Sequence, residues 1–334
     1  MKSEHRRALG LGAVLLAVSA LLLVLGAAIG STGFDSLRGV RLDPVAMQIV
    51  WDIRLPRTLG AWLAGALLGM AGAIAQGLFR NPLADPYLLG SASGSSLGVA
   101  LALLLFGVSP TSGQWVVRLG LSGAAFVGAS LAVMLTLTLA RGVEQTLRLL
   151  LAGVIVGVVL GAAKDLITLV SADTLQAVQG FMLGNTGLVG WSGCSVMAAI
   201  AVLCVVAAWA LAPVLDGLAL GESTARSLGL PLGAMRAALV AVLALATGTA
   251  VAQTGLIAFV GLAAPHLVRS VLKTTHARLI LLSTAMGGLL LMAADLLARW
   301  LIAPQELPVG VLTAVLGGSY LLWLMHRRKQ RSGA

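Results

Sequence analysis

Hydrophobic residues run in long blocks separated by short polar stretches, at roughly 8–30, 57–79, 88–108, 116–140, 147–170, 194–213, 235–272, 279–303 and 308–325. Most blocks reach the ~20 apolar residues that a helix needs to cross a bilayer. None shows the short alternating segments of a transmembrane barrel. The seventh block, 235–272, is too long for one crossing at about 1.5 Å per residue. It is interrupted at Gln253-Thr-Gly255 and again at Ala264-Pro265-His266. It therefore divides in two, and the pattern predicts an all-α polytopic membrane protein with ten transmembrane helices.

Charge supports that count. Lys2, Arg6 and Arg7 precede the first block, and Arg327, Arg328, Lys329 and Arg331 follow the last. Basic residues collect on the cytoplasmic side of a membrane protein, so both termini are expected inside, which requires an even number of spans. The same threading puts Arg80, Arg141, Arg148, Arg226, Arg236, Arg269, Lys273 and Arg278 inside. It leaves mainly Arg38, Arg41, Arg54, Arg57, Arg118 and Arg299 outside. The first block has the basic start of a signal peptide but is long for a signal core, so it is expected to remain as a span.

The composition agrees: 59% of the 334 residues are hydrophobic, 10% are charged and 41 are Gly. Small residues suit close helix packing in lipid. The net charge of +10 is distributed over loops and termini and is not interleaved with aromatics, which make up 4% of the chain, so nucleic acid is not the expected partner. Cys194 and Cys204 lie in or beside one apolar block without ligand spacing and read as small packing residues.

Enzymatic chemistry finds little to work with. None of the four lysines follows a glycine, so the chain has no Gly-Lys-Ser/Thr phosphate loop. His5, His266, His276 and His326 are scattered, and neither a metal site nor a catalytic residue is expected. No strands are expected that would carry a nucleophile elbow.

Three polar features stand out. Arg54-Leu-Pro-Arg57 opens the second span, and Asn81-Pro-Leu-Ala-Asp-Pro86 closes it. The loop Pro213–Pro231 contains Glu222 and Arg226 at i, i+4 between Gly221 and Gly229, the pattern of a short amphipathic helix. Such a helix either lies on the lipid surface or docks into a partner protein. Lys164-Asp165 interrupts the fifth span, where charge is costly. The pair either faces a path or offsets itself near a helix end.

The segment Leu220-Gly-Glu-Ser-Thr-Ala-Arg-Ser-Leu-Gly-Leu230 resembles the coupling loop of permease subunits in binding-protein-dependent ABC importers. It is similar in particular to the FecCD family, which imports ferric siderophores, haem and cobalamin. Arg54-Leu-Pro-Arg57, Asn81-Pro-Leu-Ala-Asp-Pro86, Leu150-Leu-Ala-Gly153, Gly261-Leu-Ala-Ala-Pro-His266 and Glu306-Leu-Pro-Val-Gly310 extend the resemblance in order from about 50 to 325. The resemblance implies a single permease domain over 1–334, with a coupling loop at about 214–231. It further implies a homodimer in the bacterial inner membrane, two separate ATP-binding subunits on the cytoplasmic side and a periplasmic substrate-binding protein. The chain itself would hold no cofactor, with ATP and Mg bound by the partner ATPase.

By motif position, the resemblance assigns docking of the binding protein to Arg54, Arg57 and Arg299. The bland alternatives are snorkelling to headgroups and, for Arg299, pairing with Asp295 one turn away. Coupling falls on Leu220, Gly221, Glu222, Ala225, Arg226, Leu228 and Gly229. The gate falls on Asn81, Leu83, Thr146 and Leu147, where Leu147 departs from the Ser of the cobalamin-type relative and Asn81 is equally a turn residue before Pro82. Lys164 is expected to line the substrate path and to meet an anionic group. The expected function is import of haem or a ferric siderophore, with cobalamin as the alternative cargo. A secondary transporter is the rival from another class, and it would be expected to carry intramembrane acids for ion coupling.

Overall fold

The computed structural model describes residues 2–30, 33–34, 43–106, 115–140, 146–170, 172–227 and 231–332. Helix α1 (Lys2–Ala28) leads into a two-residue antiparallel ladder of β1 (Ile29–Gly30) and β2 (Gly33–Phe34). Helix α2 (Pro44–Ile49) is N-capped by Asp43, whose carboxylate accepts from Val45 N at 2.9 Å. It runs through a π-helical turn (Val50–Arg54) into α3 (Leu55–Leu78). A 3₁₀ turn (Pro86–Leu89) precedes α4 (Ser91–Phe106), α5 (Trp115–Leu139) and α6 (Thr146–Val170). Then follow α7 (Ala172–Leu183), α8 (Trp191–Ala219), α9 (Glu222–Ser227) and α10 (Leu232–Thr254). Helices α11 (Val260–Val271), α12 (His276–Trp300) and α13 (Val309–Ser332) complete the order.

Helix α3 is the hub. It is buried along almost its whole length, and it packs against α12, α10, α8 and α11. Small residues make this possible. A Cβ placed on Gly65, Gly69 or Gly72 would fall under 3.0 Å from the backbone of Gly287, Ser283 or Gly261. Backbones that approach this closely gain dispersion and weak C–H···O contacts, which drive helix association where lipid gives no hydrophobic advantage. The outer helices instead present Leu and Val outward: α6 exposes Leu151, Ile155, Val158, Val159 and Leu166.

Among the described residues, seven helices are long and apolar enough to cross a membrane, and Ser91–Phe106 and Val309–Trp323 are shorter apolar helices. Helix α11 has 12 residues, about 18 Å of rise, against the ~30 Å of a hydrocarbon core. The long seventh block does break after Gln253-Thr254: Gly255 has φ +70° and Phe259 φ +67°. At the second expected break the helix continues, with Pro265 lying inside α11. Helix α7 was not expected at all. Its 12 residues occupy what reads as a loop between the fifth and sixth spans.

Candidate functional site

The helices place chemistry at two opposite ends of α3. At its start, Arg57 is buried at 8% exposure. Its Nε donates to Asp295 Oδ1 at 3.2 Å, and its Nη1 donates to Glu306 at 2.7 Å (Oε2) and 2.9 Å (Oε1). Asp295 is fully buried and also accepts from Thr186 Oγ1 at 2.5 Å and from Arg299 Nη2. Arg299 Nη2 reaches Thr58 Oγ1 at 3.1 Å, and Nη1 reaches Gly26 O at 3.4 Å. Two guanidiniums and two carboxylates thus close into one network joining α1, α3, α12 and the loops around residues 186 and 306. Its charges balance pairwise, as buried charges must if desolvation is to be offset.

This placement changes the reading of the three arginines. Arg299, at 2% exposure, pairs with Asp295, the alternative that the i, i+4 spacing offered. Arg57 turns inward as well, to two carboxylates far away in sequence. Arg54 is half-buried: its Nη1 lies 3.3 Å from Ala27 O and 3.4 Å from Ala28 O, where a cation offsets the unpaired carbonyls at the end of α1. Beside them, Trp51 and Trp191 are exposed with ring centroids 5.3 Å apart.

At the other end of α3, Asn81 Oδ1 accepts from Leu83 N at 2.9 Å, a side-chain turn around Pro82. Asp85 Oδ1 accepts from Tyr87 N at 2.8 Å and so caps the 3₁₀ turn. Burial pushes the Asp85 carboxyl above its usual range, partly opposed by that N–H. Leu83 and Leu147 are both exposed, at 47% and 68%. Thr146 begins α6, and its side chain lies outside the described residues.

The short helix of the 213–231 loop forms as α9, six residues long. Leu220 is exposed, Gly221 turns the chain at φ +111° and Ala225 is fully buried. Glu222 also reaches α10: its Oε1 lies 2.6 Å from Nη2 of Arg236, which is 2% exposed. The side chain of Arg226, and Leu228 and Gly229 altogether, lie outside the described residues. Below α9, Asp216 on α8 accepts from His276 N at 3.0 Å and sits 2.7 Å from its Nδ1, tying α8 to the start of α12. His266 packs edge-on against Tyr320, with centroids 5.9 Å apart.

Between the two ends lies a cavity of about 300 Å³. Its wall includes Tyr87, Met182, Leu183, Leu256, Val311 and Ala314, so it is almost wholly apolar. Tyr87 Oη donates to Ile257 O at 3.2 Å. Lys164 reaches this wall, with Nζ 3.6 Å from Met182 Sδ, but its charge is offset by Asp165 Oδ1 at 2.6 Å. The cavity depends on α7, an element that hydropathy did not reveal.

Comparison with known proteins gives this arrangement a context. The profile of the FecCD transport family matches residues 9–327. The chain is similar to the hemin transport system permease protein HmuU of Yersinia pestis, with 40% identity over 294 residues covering 86% of each chain. It is similar to the vitamin B12 import system permease protein BtuC of Klebsiella pneumoniae, with 41% identity over 296 residues covering 88% of this chain and 87% of that one. A solved structure of a metal-chelate type ABC transporter in an inward-facing conformation superposes with a TM-score of 0.82 and 29% identity, over 94% of this chain and 99% of that one. A match of this extent covers both ends of α3 and the cavity between them, and the chain belongs to the FecCD transport family.

Proposed function

We propose that the chain is the membrane-spanning subunit of an ATP-driven, binding-protein-dependent importer that carries an iron chelate, haem or a ferric siderophore, from periplasm to cytoplasm. The supporting observation is the family match over nearly the whole chain, joined to a two-ended architecture suited to one partner on each face. In this reading two copies assemble side by side as ten-span subunits in the inner membrane, with both termini cytoplasmic. The exposed Leu83 and Leu147 then meet their counterparts at the inner gate, alongside Asn81 and Thr146. ATP and Mg are held by two partner ATPase subunits, which push on α9 and the residues flanking it.

The docking face is the Arg57 end. Arg54 is its more exposed cation, Arg57 presents its Nη1 edge beside it, and Arg299 builds the platform behind them. Charge complementarity there orients an acidic partner and speeds encounter. Lys164 lines the path next to the apolar cavity, and its pairing with Asp165 makes that stretch of wall nearly neutral. Cobalamin is the alternative cargo, supported by similarity equal to that shown with the hemin permease.

The test is uptake by the reconstituted permease with its ATPase and binding protein, supplied in turn with hemin, a ferric hydroxamate and cyanocobalamin. Accumulation of an iron chelate is expected. Accumulation of cyanocobalamin alone would favour the alternative cargo, and accumulation of none of the three would contradict the substrate class.

A further inference from the structure

Glu306 joins the buried network through Arg57 and lies four residues before Gly310, which lines the cavity. The two carboxylates that hold Arg57 differ sharply. Asp295 is fully buried and accepts from three side chains, whereas 31% of the Glu306 side chain is exposed. Glu306 also ends an exposed stretch, 301–306, so less packing holds it. Asp295 fixes Arg57 through Nε and leaves the Nη1 edge to Glu306. The approach to that edge passes Gly187, where a Cβ would come within 3.5 Å of Nη1. A side chain at 187 would screen the guanidinium, and the glycine leaves it open.

Directly after Glu306 the chain becomes a wall of the cavity. Leu307 N donates to Ala298 O at 3.1 Å and Gly310 N to Gly184 O at 3.4 Å. A Cβ on Gly310 would fall under 3.0 Å from the carbonyls of Leu183 and Leu256. Gly310 and Val311 line the cavity together with Leu183 and Leu256. Within five residues, then, the chain passes from an ion pair exposed only on its carboxylate side to a tightly seated helix start that closes the cavity on one side.

We propose that the Arg57–Glu306 pair is a latch on α13, opened when a carboxylate of an acidic docking protein replaces Glu306 on Arg57. The exchange is like for like, so Arg57 keeps a full set of charge-assisted bonds throughout. Asp295 holds the guanidinium in place during the exchange. Released Glu306 frees the 305–308 segment and lets the start of α13 lift from Leu183 and Leu256. Glu306 is a positioning residue here: it acts on the path through α13. The proposal rests on the docking reading above for its trigger, but the latch itself is measurable without any docked protein.

The experiment uses the full permease–ATPase complex in lipid nanodiscs carrying Val309→Cys, a position 2% exposed at the start of α13, since the native thiols Cys194 and Cys204 are buried. Maleimide labelling of residue 309 is timed with Glu306 intact, with Glu306→Gln and with Glu306→Asp, and the exposed Val45→Cys serves as an outer-face control for folding. Glu306→Gln is expected to speed labelling about tenfold and to tighten binding-protein docking about tenfold, the scale of one charge-assisted bond no longer competed for. Glu306→Asp is expected to fall between, and labelling of Val45→Cys is expected to stay constant. Labelling of Val309→Cys at the parent rate in both variants overturns the latch. Normal docking by Arg54→Glu would overturn the docking reading instead, while the labelling rates still decide the latch.

Discussion

Asp295→Asn removes the charge on which the buried network depends and leaves its shape almost unchanged. In the parent, Asp295 accepts from Arg57, Arg299 and Thr186 with no solvent exposure. The amide retains one acceptor oxygen, but it leaves Arg299, at 2% exposure, without its counter-charge. Breaking a buried ion pair costs about 3–5 kcal/mol. The hydrogen bond that the amide keeps returns about 1 kcal/mol. A net loss of about 2–4 kcal/mol should lower the melting temperature by about 3–6 °C, at ~2.1 cal/mol/K of unfolding entropy per residue over the 334 residues. The molecule supplies its own reporter: Cys194 and Cys204 are its two thiols and both are buried, so a thiol-reactive dye reads unfolding directly. Asp165→Asn is the matched control. Its side chain is 69% exposed beside Lys164, and a solvent-exposed pair is worth about 0–1 kcal/mol. Adding Arg299→Gln to Asp295→Asn should recover part of the loss, because the orphaned charge goes too. Melting of Asp295→Asn within about 2 °C of the parent would refute the claim that these charges hold the Arg57 end together.

Glu222→Gln cuts the tie between α9 and the buried Arg236; ATP hydrolysis should persist while transport per ATP falls about tenfold, the weight of one charge-assisted bond, and unchanged coupling would remove α9 from the transmission path. Gly72→Ala places a methyl against the backbone of Gly261 and should cost about 3 kcal/mol or more, whereas Gly120, with nothing within 4 Å, should accept Ala with a gain of up to about 1 kcal/mol. Equal melting temperatures for the two variants would contradict the close-packed seam. Arg54→Glu should weaken binding-protein association with little change in melting, and the parent's affinity should fall with added salt more steeply than the variant's. If Arg54→Glu instead melts as low as Asp295→Asn, Arg54 is a structural residue and not a docking cation.

Hydropathy locates structure well where lipid imposes a rule that one chain segment must satisfy by itself. Runs of apolar residues mark the long helices because a spanning helix must bond its own backbone and hide it in hydrocarbon. That rule says nothing about helices enclosed by protein. Helix α11, 12 residues long and packed against α3 and α12, is therefore shorter than its apolar run suggests, and α7 looks like a loop in sequence. Polar contacts divide the same way. Asp295–Arg299 is legible from its spacing of four, but Arg57 meets Asp295 across 238 positions and Glu306 across 249. Arg236 likewise comes to Glu222 from 14 positions on only because α10 folds back beside α9. Local periodicity has no access to such closures.

The most direct test of the account is uptake into proteoliposomes with ATP and ion gradients varied independently. The permease, its ATPase and its binding protein should accumulate substrate only with ATP present, and no gradient should substitute for it. Uptake by the permease alone, driven by a proton or sodium gradient, would contradict the account and make the chain a secondary transporter.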